Sequence, residues 1–318
     1  MAWTTTDLLS RIRVQGRLAP GHPDYTDSVL LDKADALISI RFVPAIIRVR
    51  EDYYARYFNR SLVANQQAYA FPPRAYGATL REVVYIGATA DDTYRIPQLS
   101  YVSRLSYEGS TGPKPDAYVV EDDRILLLPK PSVAVGTVRF CYEYRPGTLV
   151  ATTAAMAVTG IGNIATGEVD GTAPTAWTTS NTFDIIKGVS PFALVSIDLI
   201  ASVIHAAAHI TFATAAIDAT RIAIGDYVVL AGTTPIPQIP AELHSALAMA
   251  VAAEVLEELG DPDGASMKEV KVQAMISTFI SAVDRRVKAP IQRLVNANSP
   301  LRARVLGAYR VGTDDGTP

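Results

Sequence analysis

His205 and His209 stand four residues apart, a spacing that on a helix would bring two imidazoles to one face and offer a metal ion two nitrogen ligands. No acidic residue lies between them, and the surrounding Ala-Ala-Ala-His-Ile-Thr-Phe run reads partly as strand. Packed or surface histidines are therefore the expectation, with no metal site. Glu257 and Glu258 are adjacent at the end of a helical pattern. Adjacent residues do not face each other as carboxylates sharing a proton must, so a solvated helix face accounts for them. Asp91-Asp92 and Asp122-Asp123 fall where hairpin-like turns are expected, and acidic side chains there accept local backbone hydrogen bonds. Calcium needs more converging oxygens than either pair supplies. Cys141, the one cysteine, lies in the alternating run Val138-Arg139-Phe140-Cys141-Tyr142 and reads as a small buried hydrophobe. The sequence carries no nucleophile elbow, zincin, phosphate-loop, dinucleotide-binding or EF-hand pattern. The expectation is a protein that is not an enzyme, with no catalytic residues and no cofactor.

Recognition chemistry is better represented. Arg48, Arg50, Arg56 and Arg60 interleave with Tyr53, Tyr54 and Tyr57, a combination able to follow a phosphate backbone. Glu51 and Asp52 dilute that cluster, and Arg and Tyr also suit protein interfaces. Arg48, Tyr53, Tyr54, Arg56 and Tyr57 are accordingly candidate interaction residues. A second set lies in the basic and apolar tail: Leu301, Arg302, Arg304, Tyr309 and Arg310, suited to docking on a partner by coupled folding and binding.

These residues need a frame, and 318 residues with 49 % hydrophobic and 19 % charged side chains are enough for a folded one. Twenty-nine basic against 32 acidic groups give a formal net charge of -3, which steers the protein toward neither nucleic acid nor anionic lipid. The N-terminal residues lack a basic start and apolar core, so residence in the compartment of synthesis is expected. The apolar stretch 189–219 is broken by Pro191 and Asp198 and reads as short strands, so no membrane span is expected.

Charge and periodicity divide the chain. Residues 1–60 read as short helices, beginning near residues 6–14 with Leu8, Leu9 and Ile12 on one face. Asp27 is placed to cap a second helix carrying Leu30, Ala34, Leu37 and Ile38, which Pro44 either kinks or follows as the first turn of the next. Residues 61–150 alternate with a period of two and predict an antiparallel sheet unit folded as a small sandwich or half-barrel. Residues 151–235 hold two basic groups, Lys187 and Arg221, against six acidic ones, and read as an inserted second all-β module. Helices return over 236–295 and are expected to pack with the first 60 residues: Leu243, Leu247, Val251, Val255 and Leu259 share a face, and Gly260 stops that helix. Ser266 with Glu269 predicts a capping box for the last helix, closed at Pro290. Residues 296–318 form an extended tail. The fold class is α+β, a helical bundle-like portion joined to an antiparallel sheet unit with an inserted β module.

The order of these features resembles a known family. Short helices lead into Tyr57-Phe58-Asn59-Arg60-Ser61-Leu62-Val63-Ala64-Asn65-Gln66-Gln67-Ala68-Tyr69-Ala70-Phe71-Pro72. A tyrosine-rich sheet follows, ending in Phe140-Cys141-Tyr142-Glu143-Tyr144-Arg145-Pro146, and Pro240-Ala241-Glu242-Leu243-His244 opens a helical pair. Over about residues 5–150 and 236–295 the pattern is similar to the head-to-tail adaptor (connector or neck) proteins of tailed bacteriophages. The resemblance implies a virion protein at the head–tail junction, made in the bacterial host cytoplasm. It implies a homo-oligomeric ring, typically of twelve copies, between the portal protein ring and the tail or nozzle protein. Double-stranded DNA would pass through its channel without sequence-specific binding. The helices would lie toward the portal and the sheet toward the next tail component, with no catalytic residues to carry over. The acidic insertion 151–235 departs from the compact adaptor pattern. A tail-associated module that binds a host surface or fibre is the alternative, since an aromatic-rich sheet also suits carbohydrate.

Overall fold

Helix α1 (Thr5–Gln15) opens with a reciprocal cap: the Thr4 hydroxyl accepts from the Asp7 N–H at 3.4 Å and the Asp7 carboxylate accepts from the Thr4 N–H at 3.0 Å. The computed structural model describes residues 3–72, 74–89, 92–162, 167–205, 208–212 and 220–287. Helix α2 (Asp27–Leu37) is capped by Thr26, whose hydroxyl accepts from the Val29 N–H at 3.4 Å. Asp27, expected as the cap, is instead in the first turn, where its charge complements the helix dipole and takes the Arg13 guanidinium at 2.7 Å.

The helix does not end at Pro44. It widens into one π turn (Ile38–Phe42), with the Val43 N–H reaching back to the Ile38 carbonyl, and continues as α3 (Val43–Val49). Proline has no N–H to give, so a wider turn accommodates the ring and leaves the Ser39 carbonyl without a helical donor. The Tyr76 hydroxyl supplies one at 3.1 Å.

At the other end, α4 (His244–Glu258) is buried nearly all round, with Leu247, Ala248, Val251, Ala252 and Val255 fully inaccessible. Gly260, at φ 81°, ends it: the Gly260 and Asp261 N–H groups donate to the Glu257 and Leu256 carbonyls at 3.1 and 2.8 Å. This is the left-handed stop that glycine alone adopts without strain. Asp261 then caps α5 (Pro262–Val287) by accepting from the Gly264 N–H at 2.9 Å, with Pro262 in the first helical position. The helix thus begins before Ser266, and the expected Ser266–Glu269 capping box does not form. Glu269 instead takes the Arg41 guanidinium through both oxygens at 3.0 and 2.7 Å. Pro290 lies outside the described residues.

The sheet unit contains β1 (Ala55–Ser61), β2 (Ala68–Ala70), β3 (Ala75–Ile86), β4 (Thr93–Ile96), β5 (Thr111–Gly112), β6 (Ala117–Glu121), β7 (Arg124–Leu128), β8 (Lys130–Pro131) and β9 (Thr137–Tyr144). An antiparallel four-stranded sheet in the order β1-β9-β3-β4 shares a core with the three-stranded sheet β2-β7-β6. Val83, Phe140 and Ile96 from the first meet Tyr69, Ile125 and Leu127 from the second.

The chain then enters β10 (Thr148–Leu149), and after the inserted strands returns through β18 (Thr233–Thr234), paired parallel to β10. Between them run β11 (Met156–Ala157), β12 (Gly160–Ile161), β13 (Glu168–Asp170), β14 (Thr182–Ile186), β15 (Leu194–His205), β16 (His209–Phe212) and β17 (Tyr227–Leu230). They form a seven-stranded sheet in the order β11-β17-β14-β15-β16-β13-β12, with a core of its own around Met156, Trp177, Phe183, Ile210 and Phe212.

The protein is thus a mixed α+β fold with several helices and multiple antiparallel sheets. Its largest core draws on every part: Leu8, Leu30, Phe42, Leu247 and Val251 from the helices, Tyr54, Tyr142 and Tyr144 from the sheet unit, and Ile186, Leu194 and Val229 from the insertion. The described residues up to Ile280 belong to one compact unit, and the last turns of α5 to a second. Among the described residues no helix is long and apolar enough to cross a membrane.

Candidate interaction surface

The four-stranded sheet buries one face and opens the other. Along β1, Phe58 is turned to the core, while Tyr57 and Asn59 point the opposite way because side chains alternate. The register sets Tyr57 beside Cys141 and Asn59 beside Arg139, then Glu82 and Val84 beyond them on β3 and Arg95 on β4. Arg139 holds this face together: its guanidinium covers the Tyr57 ring at 5.4 Å, and its Nε–H donates to the Asn59 Oδ1 at 3.0 Å. Tyr57 stays 67 % exposed. Cys141 is a buried free thiol, and burial pushes its pKa up.

The other candidates from this segment divide. Arg48 is exposed on α3. Tyr53, Tyr54 and Arg56 are not free for a partner, because they form the junction with the insertion and with the segment that follows it. The Tyr53 hydroxyl donates to the Pro191 carbonyl at 3.0 Å, that of Tyr54 to the Gln238 carbonyl at 2.9 Å, and Arg56 Nη2 to the Val195 carbonyl at 3.2 Å. Tyr54 is fully buried and packs edge-on against Tyr53 and Tyr144 at 4.8 and 5.4 Å. Burial pushes the Tyr53 and Tyr54 hydroxyls up and the Arg56 guanidinium down. Leu301, Arg302, Arg304, Tyr309 and Arg310 lie outside the described residues.

The same junction holds a buried ion pair. Asp184, inaccessible on β14, accepts from the Arg74 guanidinium and from the Asp198 and Gly232 N–H groups at 3.0 and 2.9 Å. Burial raises the Asp184 pKa, and Arg74 and the two backbone donors oppose that rise. A lone acid in the apolar run Phe183–Ile186 was the signal for it.

His244 occupies a comparable place at the start of α4. It is fully buried, stacked on Phe192 with ring centroids 5.3 Å apart. Its Nδ1 accepts from the Trp3 N–H at 3.3 Å, and Nε2 faces the Pro237 and Ile239 carbonyls at 3.2 and 3.1 Å, so the neutral Nε2–H form fits. Burial lowers its pKa from the ordinary 6.5. The unfolded chain therefore takes up the proton first, and stability falls as pH drops below 6.5. Urea unfolding is expected to show the wild type losing about 1 kcal/mol more than His244→Gln between pH 7.5 and pH 5.5. Comparison with the variant separates this from Asp35, whose carboxylate accepts from the Leu149 N–H and is pushed up to about 6 by burial. Asp35 acts in the opposite sense, its stabilising protonation being lost as pH rises from about 4 to 6.

Of the acidic pairs, Asp92 accepts from Lys114 at 2.6 Å, Asp91 lies outside the described residues, and Glu258 has two side-chain partners. Glu258 accepts from Lys33 at 2.5 Å and from the Tyr25 hydroxyl at 3.0 Å, and the lysine holds its carboxyl below the usual range. Glu254, Glu257 and Glu269 line an interhelical cleft of about 300 Å³ with Arg41 and Ser266. His205 and His209 are not on a helix: their backbones are paired in the β15–β16 register. His209 lies with Glu168 and Asp170, all three donor atoms within 4.8 Å of one another.

No protein-family model and no curated protein matches this chain.

Proposed function

We propose that this chain is a structural adaptor subunit of a tailed-phage neck, one copy of a ring that joins the portal to the tail and surrounds the path of the DNA. The observation that carries the reading is the open face of the four-stranded sheet, where Tyr57, Asn59 and Arg139 are presented by a rigid antiparallel frame. An aromatic ring covered by a guanidinium is the chemistry of a protein contact, with large contact area and directional donors together. A ring also needs two unlike neighbour faces, and closure turns such contacts into a finite assembly. The helical layer offers a second, chemically different surface, on which Ile40, Met267 and Val270 stay exposed, while the Lys33–Glu258 and Arg41–Glu269 pairs tie the two ends of the adaptor-like pattern together.

Particle imaging of the purified protein, alone and with a portal ring, tests the reading. Closed rings, or decoration of the portal by this chain, are expected. Tyr57→Ser combined with Arg139→Glu is expected to weaken self-association or portal binding at least tenfold while the monomer stays folded, as judged by circular dichroism. Monomers that bind no portal would overturn the assignment, and capture of host glycans or fibre protein by such monomers would favour the host-surface alternative.

A further inference from the structure

Glu168 and Asp170 occupy alternate positions of β13, so both carboxylates emerge on one face while Val169 between them is buried in the insertion core. On the next strand, His209 stands directly opposite Asp170, and its neighbour Ile210 is buried in the same core. Three donors of two chemical kinds thereby converge on the solvent face of a hydrogen-bonded sheet. His209 Nδ1 is 3.7 Å from Glu168 Oε1, with the His209 and Glu168 side chains 27 % and 30 % exposed and Asp170 half-buried.

The strand on the other side keeps this face clear. Gly160 pairs with Asp170 in the β12–β13 register, and a Cβ there would come within 2.6 Å of Asp170 Oδ2. Gly162 repeats the arrangement, with a Cβ position 2.8 Å from Glu168 Oε1. Both carboxylates therefore lie over a strip of backbone without side chains. Among the described residues no lysine or arginine pairs with either carboxylate, and Lys187 of the same module is held by Asp226 at 2.9 Å.

We infer that Glu168, Asp170 and His209 form a binding site for a divalent first-row transition ion of the zinc type. Two like charges this close repel, and a dication bound between them removes that repulsion. An imidazole in the set selects against magnesium and calcium, which take oxygen ligands, and toward zinc and its neighbours. Bonds of about 2.0–2.1 Å to nitrogen and oxygen would draw the donors to about 3.3 Å apart, a side-chain adjustment with the strands fixed. Three protein ligands leave at least one position for water or for a group from another molecule. The inference is independent of the adaptor assignment, since it rests on the inserted module alone.

Isothermal titration of the metal-free full chain with Zn2+, in excess Mg2+ and Ca2+, tests it. One saturable equivalent is expected, with His209→Gln and Asp170→Asn each weakening affinity at least tenfold while thermal melting without metal is unchanged. Glu257→Gln, on the helical layer, is expected to leave affinity unchanged. Co2+ as a spectroscopic probe should give a visible absorption that His209→Gln abolishes. Absence of saturable Zn2+ binding, its displacement by Mg2+ or Ca2+, or wild-type affinity in the His209→Gln or Asp170→Asn variant would overturn the inference.

Discussion

Arg74→Met is expected to lower the free energy of unfolding by about 3–5 kcal/mol, the loss typical when one partner of a buried ion pair is removed. Arg74 is only 15 % exposed and its partner Asp184 not at all, so water cannot replace the guanidinium. The variant keeps the methylene stem and removes the charge, leaving a carboxylate with just two backbone donors. Arg74 also holds a left-handed backbone at φ 61°, a conformation that costs a non-glycine residue about 1–2 kcal/mol and that the pair helps maintain. Without the arginine, the already raised Asp184 pKa rises further, so the native variant binds a proton that the unfolded chain releases. The variant should therefore be relatively more stable near pH 5 than at pH 7, opposite in sign to the His244 effect. Chemical denaturation at both pH values measures this. Adding Asp184→Asn should recover much of the loss at pH 7, and if it recovers none the pair is not the cause.

Leu247→Ala should cost about 2–5 kcal/mol, because the removed atoms lose their burial and leave a cavity that neighbouring helices cannot close. Leu247 is fully buried in the core shared by α1, α2 and α4. Its alanine neighbours make the site stiff: Ala246, Ala248 and Ala250 allow close approach of the surrounding helices and have no side-chain length with which to fill the gap. The opposite change, Ala248→Leu, is expected to destabilise by about 1–3 kcal/mol through overpacking. Thermal melts of the two variants check both directions, and a tolerated Ala248→Leu would show that α4 has a free side.

How much of this was legible in the sequence depended on range. Helix α4 could be read from Leu243, Leu247, Val251 and Val255 with Gly260 after them, since period and punctuation are local properties. The alternation in residues 137–144 likewise marked β9. The start of α5 was misread because Ser266–Glu269 matches a capping box, whereas Asp261-Pro262 caps the helix from within the turn that ends α4. Among the interaction candidates, Tyr57 is on an open face and Tyr54 is in the core, although composition presents them alike. Tyr57 lies within β1 and Tyr54 in the turn just before it, and only the fold shows which of the two is covered. Arg74 and Asp184 are 110 residues apart, and nothing local joins them. The metal-ligand set escaped for the same reason: His209 was weighed against His205 on a helix, while its carboxylate neighbours come from a strand paired across the sheet.

The parallel pairing of β10 with β18 has a consequence for how such a protein changes over time. Because outgoing and incoming chains run side by side at about 4.8 Å, everything between them can lengthen, shrink or be exchanged while the frame's own chain path stays closed. The stem works as a socket, and the present seven-stranded occupant is one plug. A foreign plug would still have to satisfy the socket's chemistry: apolar groups in place of Ile186, Leu194 and Val229, and an acid to meet Arg74.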